Sequence, residues 1–144
     1  MLTEPKYQSM DETLKKYLYD VLGAVTETLS YFDERPKLFN EFASNLMLRR
    51  AVERNIEIMG EAMNRILRMC PDIKITNARK IVDTRNYIIH AYDSLSSDIL
   101  WSIIINHLPL LKTELEVLLN EHQEPIDFAY GINQEFLEIS DKRQ

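Results

Sequence analysis

This chain of 144 residues is poor in helix-breaking residues, with three glycines and five prolines. Its one cysteine, Cys70, excludes an intramolecular disulfide framework and suits a reducing compartment. No apolar run approaches the roughly 18 residues of a membrane span, and no charged segment followed by an apolar one opens the chain. We therefore expect a soluble, cytoplasmic protein with no membrane segment.

The sequence also lacks the common patterns of cofactor and metal sites. Its glycines are far apart, so it contains no glycine-rich phosphate loop. His90, His107 and His122 are separated by 17 and 15 residues, which matches no zinc-site spacing. No serine or cysteine stands in a recognisable nucleophile motif. We expect no metal and no cofactor.

What the chain does have is helical periodicity, with 45% hydrophobic residues and no strand pattern. A first helix is predicted over an apolar stripe from Leu14 to Phe32, capped by Ser9 or Asp11. A second, unbroken helix is predicted from about Leu38 to Met69, with Gly60 as its weak point.

Two further helices complete the prediction. The third is capped by Thr76 or Asn77 and ends near His90 or Ala91. The fourth begins near Ser96 or Ser97. Because Pro109 lacks a backbone N–H, it should kink this helix one turn earlier. The predicted fold is all-α, an up-and-down four-helix bundle over residues 1–123, followed by an acidic C-terminal tail or short helix at 124–144.

The long second helix is predicted to need a partner. Its methionines, Met47, Met59, Met63 and Met69, suggest an apolar surface that the third helix cannot cover, so we expect a two-fold homodimer. Glu53, Glu57 and Glu61 follow an i, i+4, i+8 spacing among arginines, which is more typical of exposed ion pairs than of a site.

Charge is unevenly distributed. The net charge is −6, but residues 49–92 carry nine Lys/Arg against five Asp/Glu. This basic third permits a phosphate-bearing ligand, although ordinary solvated helix faces would produce the same balance.

Within the basic third, residues 83–92 read Asp-Thr-Arg-Asn-Tyr-Ile-Ile-His-Ala-Tyr. Arg85 and His90 lie about 140° apart around a helix, so they can serve one site only across a groove or with a second chain. Histidine can move protons near neutral pH, and arginine presents a fixed fork to phosphate. RNA supplies its own nucleophile, the 2′-hydroxyl. Taken alone, an Arg five residues before a His is more often structural than catalytic.

Three blocks, in order, resemble the HepT-like branch of the HEPN-domain proteins over roughly residues 10–120. They are the Arg-x-x-x-x-His-x-Tyr motif at 85–92, the second-helix block at 48–62, and Trp101 followed by residues 107–111. The resemblance implies a dimeric helical bundle with a central cleft, acting as the metal-independent endoribonuclease toxin of a toxin–antitoxin pair.

The resemblance also implies roles for residues. Arg85 and His90 would be catalytic, and Asn86 would support them. Tyr92 would be the residue to which a cognate minimal nucleotidyltransferase, the antitoxin, adds AMP to silence the toxin. Two alternatives stay open: a non-catalytic module that binds a nucleotide or the nucleotidyltransferase, and a purely structural dimer.

Overall fold

In a computed structural model, which describes residues 10–34, 38–91 and 95–121, the chain is a bundle of helices. They are α1 (Glu12–Ser30), α2 (Phe39–Ser44), α3 (Leu46–Met69), α4 (Ala78–His90), α5 (Ser97–Ser102) and α6 (Leu108–Glu121), with a π-helical turn, Ile103–His107, joining α5 to α6. The described residues contain no strand. The predicted all-α bundle is confirmed, and the predicted boundary at residue 123 and the tail lie outside the described residues.

Local capping explains several helix ends. The Asp11 carboxylate accepts hydrogen bonds from the backbone N–H groups of Thr13 and Leu14 at 2.8 and 3.2 Å, which satisfies two donors that a helix start leaves open. Ser96 caps α5 in the same way through Ile99. Both caps were predicted from the sequence.

The predicted second helix is wrong in one respect, because it is broken at Asn45. This residue has an extended backbone, with φ −103° and ψ 94°, and its side-chain oxygen accepts the N–H of Leu48 at 3.0 Å. Asparagine competes with helical hydrogen bonding in this way, so Asn45 ends α2 and caps α3. Gly60, the predicted weak point, lies within an uninterrupted α3.

The fourth predicted helix is continuous in direction but irregular one turn before Pro109. The π-helical turn carries a hydrogen bond from the Leu108 N–H to the Ile103 carbonyl, five residues back. A proline ring crowds the carbonyl four residues earlier, here that of Ile105. The irregularity therefore lies where the sequence predicts it, as a wider turn in the hydrogen-bonding pattern.

The core is formed where α3 packs against α1 on one side and α4 on the other, with α6 against α1. Met59 and Met63 are fully buried in it, whereas Met47 and Met69 are exposed. The prediction of a methionine-rich uncovered face on this helix is therefore wrong for the central two, because α1 and α4 cover them.

Short α2 has a packing role of its own. It brings Phe39 and Phe42 against Trp101 of α5, with ring centroids 6.0 and 5.4 Å apart, and Phe32 joins them at 5.9 Å from Trp101. Such aromatic pairs add to the apolar burial. The cluster ties the chain between α1 and α3 to the start of the last helix.

A polar link joins the end of α1 to α3. The buried Asn55 side chain donates to the Tyr31 hydroxyl at 3.2 Å, and that hydroxyl donates to Glu27 at 3.0 Å. Partial burial, followed by the hydrogen bond to Glu27, raises the pKa of Tyr31 above 10.0. None of the described helices is both long and apolar enough to cross a membrane.

Candidate active site

The motif predicted from the sequence begins at Arg85 in the second half of α4, and its residues 85–90 reach the end of that helix. Asn77 occupies the N-cap position of this helix, as predicted, but its side chain makes no capping hydrogen bond. The helix ends at His90, with Ala91 extended at φ −89° and ψ 141°. Only Ala78 and Val82 of α4 are buried in the single chain. The motif residues therefore lie on a helix that its own chain covers on one side.

Arg85 lies against α3 at Gly60. A Cβ atom on Gly60 would overlap the Cβ of Arg85, and would come within 2.7 Å of its Cγ and 3.0 Å of the Ile81 carbonyl oxygen. The missing side chain thus lets α4 approach α3 closely at the turn that carries Arg85. The sequence analysis interpreted Gly60 as a weak point of a long helix and did not predict this contact.

Arg85 and Asn86 are brought together. The guanidinium Nη1 of Arg85 donates to the Asn86 side-chain oxygen at 3.0 Å. Within the described part of the chain, Arg85 forms no ion pair with a carboxylate. The pairing with a neutral amide leaves the positive charge of Arg85 uncompensated there, which suits an anionic ligand.

His90 is not brought to Arg85 in the single chain. It is exposed at the last position of α4, and no hydrogen bond joins it to Arg85. The helical spacing directs the two side chains about 140° apart. Tyr87 and Ile89, on either side of the same turn, are 55% and 41% exposed. Tyr92, the predicted site of modification, lies outside the described residues.

Glu53 binds the backbone of Leu95, shortly after the motif, and the sequence analysis did not predict this contact. Its carboxylate is buried and accepts hydrogen bonds from Arg50 at 2.8 Å and from the backbone N–H of Leu95 at 3.2 Å. The interpretation of Glu53 as an ion-pairing residue is confirmed by the contact with Arg50, but its expected exposure is wrong, because the carboxylate is buried. The available signal was its place three residues before Ile56, on the buried stripe of α3.

The other two glutamates of that series match the sequence interpretation better. Glu57 pairs with Arg54 at 3.6 Å and Glu61 with Arg65 at 3.5 Å, at i,i+3 and i,i+4 spacing. Both pairs involve arginines that are more than half exposed. They are surface pairs of small energetic weight.

A separate apolar groove lies on another side of α4. It has a volume of about 280 Å³ between α4 and the α5–α6 helix, with Ile56 and Met59 of α3 at its floor. Neither Arg85 nor His90 lines it. At its polar end the Asn77 amide lies 3.4 Å from His107.

Fold and site together define a helical-bundle protein with a half-buried arginine–amide pair in the second half of α4 and an exposed histidine at the end of that helix. A family model described as Ribonuclease HepT-like matches residues 14–118. The chain belongs to this family of ribonucleases. The family resemblance stated from the sequence is thereby confirmed.

Relatives whose names state a function are also named as ribonucleases. A candidate RNase of Methanocaldococcus jannaschii is 33% identical over 107 residues, which are 73% of this chain and 95% of that protein. The probable ribonuclease HepT of Thermococcus cleftensis is 32% identical over 113 residues, 76% of this chain and 98% of its own length. A candidate RNase of Caldanaerobacter subterraneus subsp. tengcongensis is 26% identical over 116 residues, 78% and 99% of the two chains. No solved structure matches the chain.

Proposed function

We propose that this chain is a metal-independent endoribonuclease, the toxin of a toxin–antitoxin pair, and that Arg85 and His90 are its catalytic residues. The observation that carries the proposal is that both lie in the second half of α4 in a chain of the HepT-like ribonuclease family, Arg85 half-buried against α3 and His90 exposed at the helix end. Asn86, bonded to Arg85, orients the guanidinium.

The proposed reaction uses the nucleophile that RNA already contains. The His90 imidazole takes the proton of a 2′-hydroxyl, and that oxygen forms a bond to the adjacent phosphorus. The bond from phosphorus to the 5′-oxygen then breaks, and the leaving oxygen takes up a proton. Arg85 stabilises the charge that grows on the phosphate oxygens. The products are a 2′,3′-cyclic phosphate and a free 5′-hydroxyl.

In a homodimer, a motif from each chain lines one cleft. The separation of Arg85 and His90 within one chain then no longer prevents an arginine and a histidine from serving one site. In a two-fold pair, α4 of each copy faces the other, and each cleft wall carries one copy of the motif. The exposed Tyr87 and Ile89 supply an apolar contact for this interface. The second His90 then serves as the acid that protonates the leaving 5′-oxygen.

The mechanism is tested by cleavage of a single-stranded RNA of defined sequence, with and without EDTA. His90→Ala should lower the rate by about 10²–10⁴-fold, and Arg85→Ala should lower it while the chain stays folded. His107→Ala is the matched control, since this histidine lies outside the motif, and it should cleave as wild type does. Undiminished cleavage by His90→Ala, or loss of activity in EDTA, would refute the mechanism.

We further propose that Tyr92 is the control point. A minimal nucleotidyltransferase would join the phenol oxygen of Tyr92 to the α-phosphorus of ATP, with pyrophosphate as the leaving group. Tyr92 is seven residues after Arg85 in sequence and two residues after the end of α4 at His90. The added phosphate would pair with the guanidinium, and the adenosine would occupy space that RNA needs.

The modification is tested by co-expression with the cognate nucleotidyltransferase and intact-mass measurement. The mass of the wild-type chain should rise by one or more AMP units. Tyr92→Phe should show no increase and should escape neutralisation, whereas Tyr87→Phe, five residues earlier, should behave as wild type. Modification and silencing of Tyr92→Phe would place control elsewhere.

A second candidate is a non-catalytic module that binds a nucleotide or the nucleotidyltransferase. The observation in its favour is that Arg85 and His90 diverge on the single chain. Such a module would bind RNA or nucleotide without cutting, and His90→Ala would change neither growth of the expressing cells nor RNA integrity. The cleavage assay therefore separates the two functions.

A further inference from the structure

The groove between α4 and the α5–α6 helix has apolar walls that the described residues leave open. Ile81 of α4 and Ile103 of the π-helical turn line it, with Ile99 and Leu110 at its sides. Ile99 is 49% and Leu110 is 44% exposed. Covering such side chains is favourable, since it removes apolar surface from water.

The groove also presents a cation. Lys80 lines it, and no carboxylate among the described residues pairs with this amine. The groove carboxylate, Glu114, is already engaged, because it accepts hydrogen bonds from the backbone N–H and the hydroxyl of Thr76 at 3.1 and 2.6 Å. The groove therefore fits a segment in which apolar side chains alternate with carboxylates.

The chain carries such a segment beyond its family core. The family model ends at residue 118, and the relatives are spanned over 95–99% of their own lengths by about three quarters of this chain. Residues 124–144 contain five Asp/Glu against two Lys/Arg, a net charge of −3. Their large apolar residues stand beside these acids, as in Ile126-Asp127-Phe128 and Glu135-Phe136-Leu137-Glu138-Ile139.

This segment can reach the groove from its own chain. The last described residue, Glu121, lies seven residues beyond Glu114, which corresponds to about 10 Å along α6. An extended chain covers about 3.3 Å per residue, so fewer than ten residues are needed to return. Tethering also gives the segment an effective concentration on the order of millimolar.

We propose that residues 124–144 dock into this groove on the same chain. Aromatic and aliphatic side chains of the segment lie among Ile99, Ile103 and Leu110, and one of its carboxylates pairs with Lys80. A single segment suits the space better than a second copy, because a volume of about 280 Å³ holds a few side chains. A stable dimer needs an interface of roughly 800 Å² on each partner.

The test uses the full-length chain with a zero-length carbodiimide, which joins amines to carboxylates in direct contact, followed by peptide mass spectrometry. Lys80 should be joined to an acid of residues 124–144. Leu110→Glu and Ile99→Glu should reduce this product at least fivefold, because they place a charge in the groove. Val117→Glu is the matched control: Val117 is 48% exposed on α6, does not line the groove, and should leave the yield unchanged.

The occupant is identified by mixing ¹⁵N-labelled and unlabelled chains before cross-linking. Products in which both peptides carry the same label support docking on the same chain, whereas mixed-label products would overturn it in favour of a second copy. Absence of the Lys80 product, or a yield that Leu110→Glu does not change, would overturn the proposal altogether.

A second measurement does not depend on the groove variants folding correctly. In full-length Phe128→Ser/Phe136→Ser, amide hydrogen exchange should rise at least threefold in residues 77–84 and 99–110, and binding of an apolar dye should increase. Exchange in α1 should not change. Unchanged exchange in the groove helices would contradict the proposal. None of these readouts uses RNA, so they stand or fall independently of the proposed ribonuclease activity.

Discussion

Gly60 sets the distance between α3 and the turn of α4 that carries Arg85. The missing side chain of Gly60 permits the close approach of the two helices, since a Cβ at this position would overlap the Cβ of Arg85. Gly23 of α1 offers a contrast, because nothing lies within 4 Å of a Cβ built on it. The same residue type is a packing requirement at one position and a dispensable feature at the other.

Gly60→Ala should destabilise the fold and lower activity. Overpacking typically costs about 1–3 kcal/mol, against which alanine recovers about 1 kcal/mol of helix propensity. Displacing Arg85 should lower RNA cleavage about tenfold or more. Gly23→Ala, the control, should raise stability by about 0.5–1 kcal/mol. Urea unfolding measures the stability of the two variants, and the cleavage assay measures their activity. Equal stability and equal activity of Gly60→Ala and Gly23→Ala would contradict the packing role of Gly60.

Glu53→Ala should cost more stability than Glu57→Ala. The first change leaves the buried Leu95 N–H without its acceptor, at about 1–3 kcal/mol. The second removes a surface pair with Arg54, worth about 0–1 kcal/mol. Glu53→Gln keeps an acceptor oxygen and should fall between them. Urea unfolding ranks the three variants, and an equal cost for Glu53→Ala and Glu57→Ala would show that the buried bond carries no special weight.

At the scale of the element, the break between α2 and α3 decides how the aromatic cluster forms. A straight helix would carry Phe39 and Phe42 along the axis of α3, whereas the extended backbone at Asn45 redirects α2 toward Trp101. The π-helical turn makes a comparable adjustment before Pro109. Both irregularities occur where one residue interrupts the regular hydrogen-bonding pattern.

The N-cap at Asn45 gives a direct test of this element. Asn45→Ala should lower the free energy of unfolding by about 0.5–2 kcal/mol, whereas Asn45→Gly should lower it by only about a few tenths of a kcal/mol. The difference arises because glycine, having no side chain, lets water reach the part-buried N–H of Leu48 and tolerates the non-helical backbone. Thermal and urea unfolding measure it, and an alanine variant as stable as the glycine variant would argue against the cap.

At the scale of the whole molecule, the described residues leave much of α4 uncovered, since Ala78 and Val82 are its buried residues. Its second half carries the motif together with exposed Tyr87 and Ile89. Its sequence neighbourhood is also the basic third of an acidic protein. An anionic strand and a second copy of the chain would both be attracted to this region, the first by charge and the second by apolar surface.

Ile89→Glu should convert the proposed dimer to a monomer. The change places a charge on an apolar position that the second copy would bury, and burying an unpaired charge opposes association. Light scattering at micromolar concentration should show twice the chain mass for wild type and the single mass for the variant. Val117→Glu places the same charge on an exposed position of α6 and should remain dimeric. A monomeric wild type would contradict the proposed dimer. An Ile89→Glu variant that dimerises normally would show that this part of α4 lies outside the interface.

The sequence by itself determined several helix ends and the family. Asp11 and Ser96 cap their helices through hydrogen bonds to residues two or three positions away, and helical periodicity is also a local property. Both can therefore be read without knowing the fold. The family resemblance likewise rests on residue order, and the family match confirms the family. The break at Asn45 was missed, since a run of apolar residues at helical spacing crosses it.

Only the tertiary structure decided which residues meet across helices. Glu53 is buried because Leu95, far along the chain, offers it a backbone N–H, and Gly60 matters because α4 crosses α3 at that point. Met59 and Met63 are core residues because α1 and α4 cover α3 from both sides. Such contacts depend on how helices are placed in space, and periodicity along one helix carries no information about the residue that another helix presents to it.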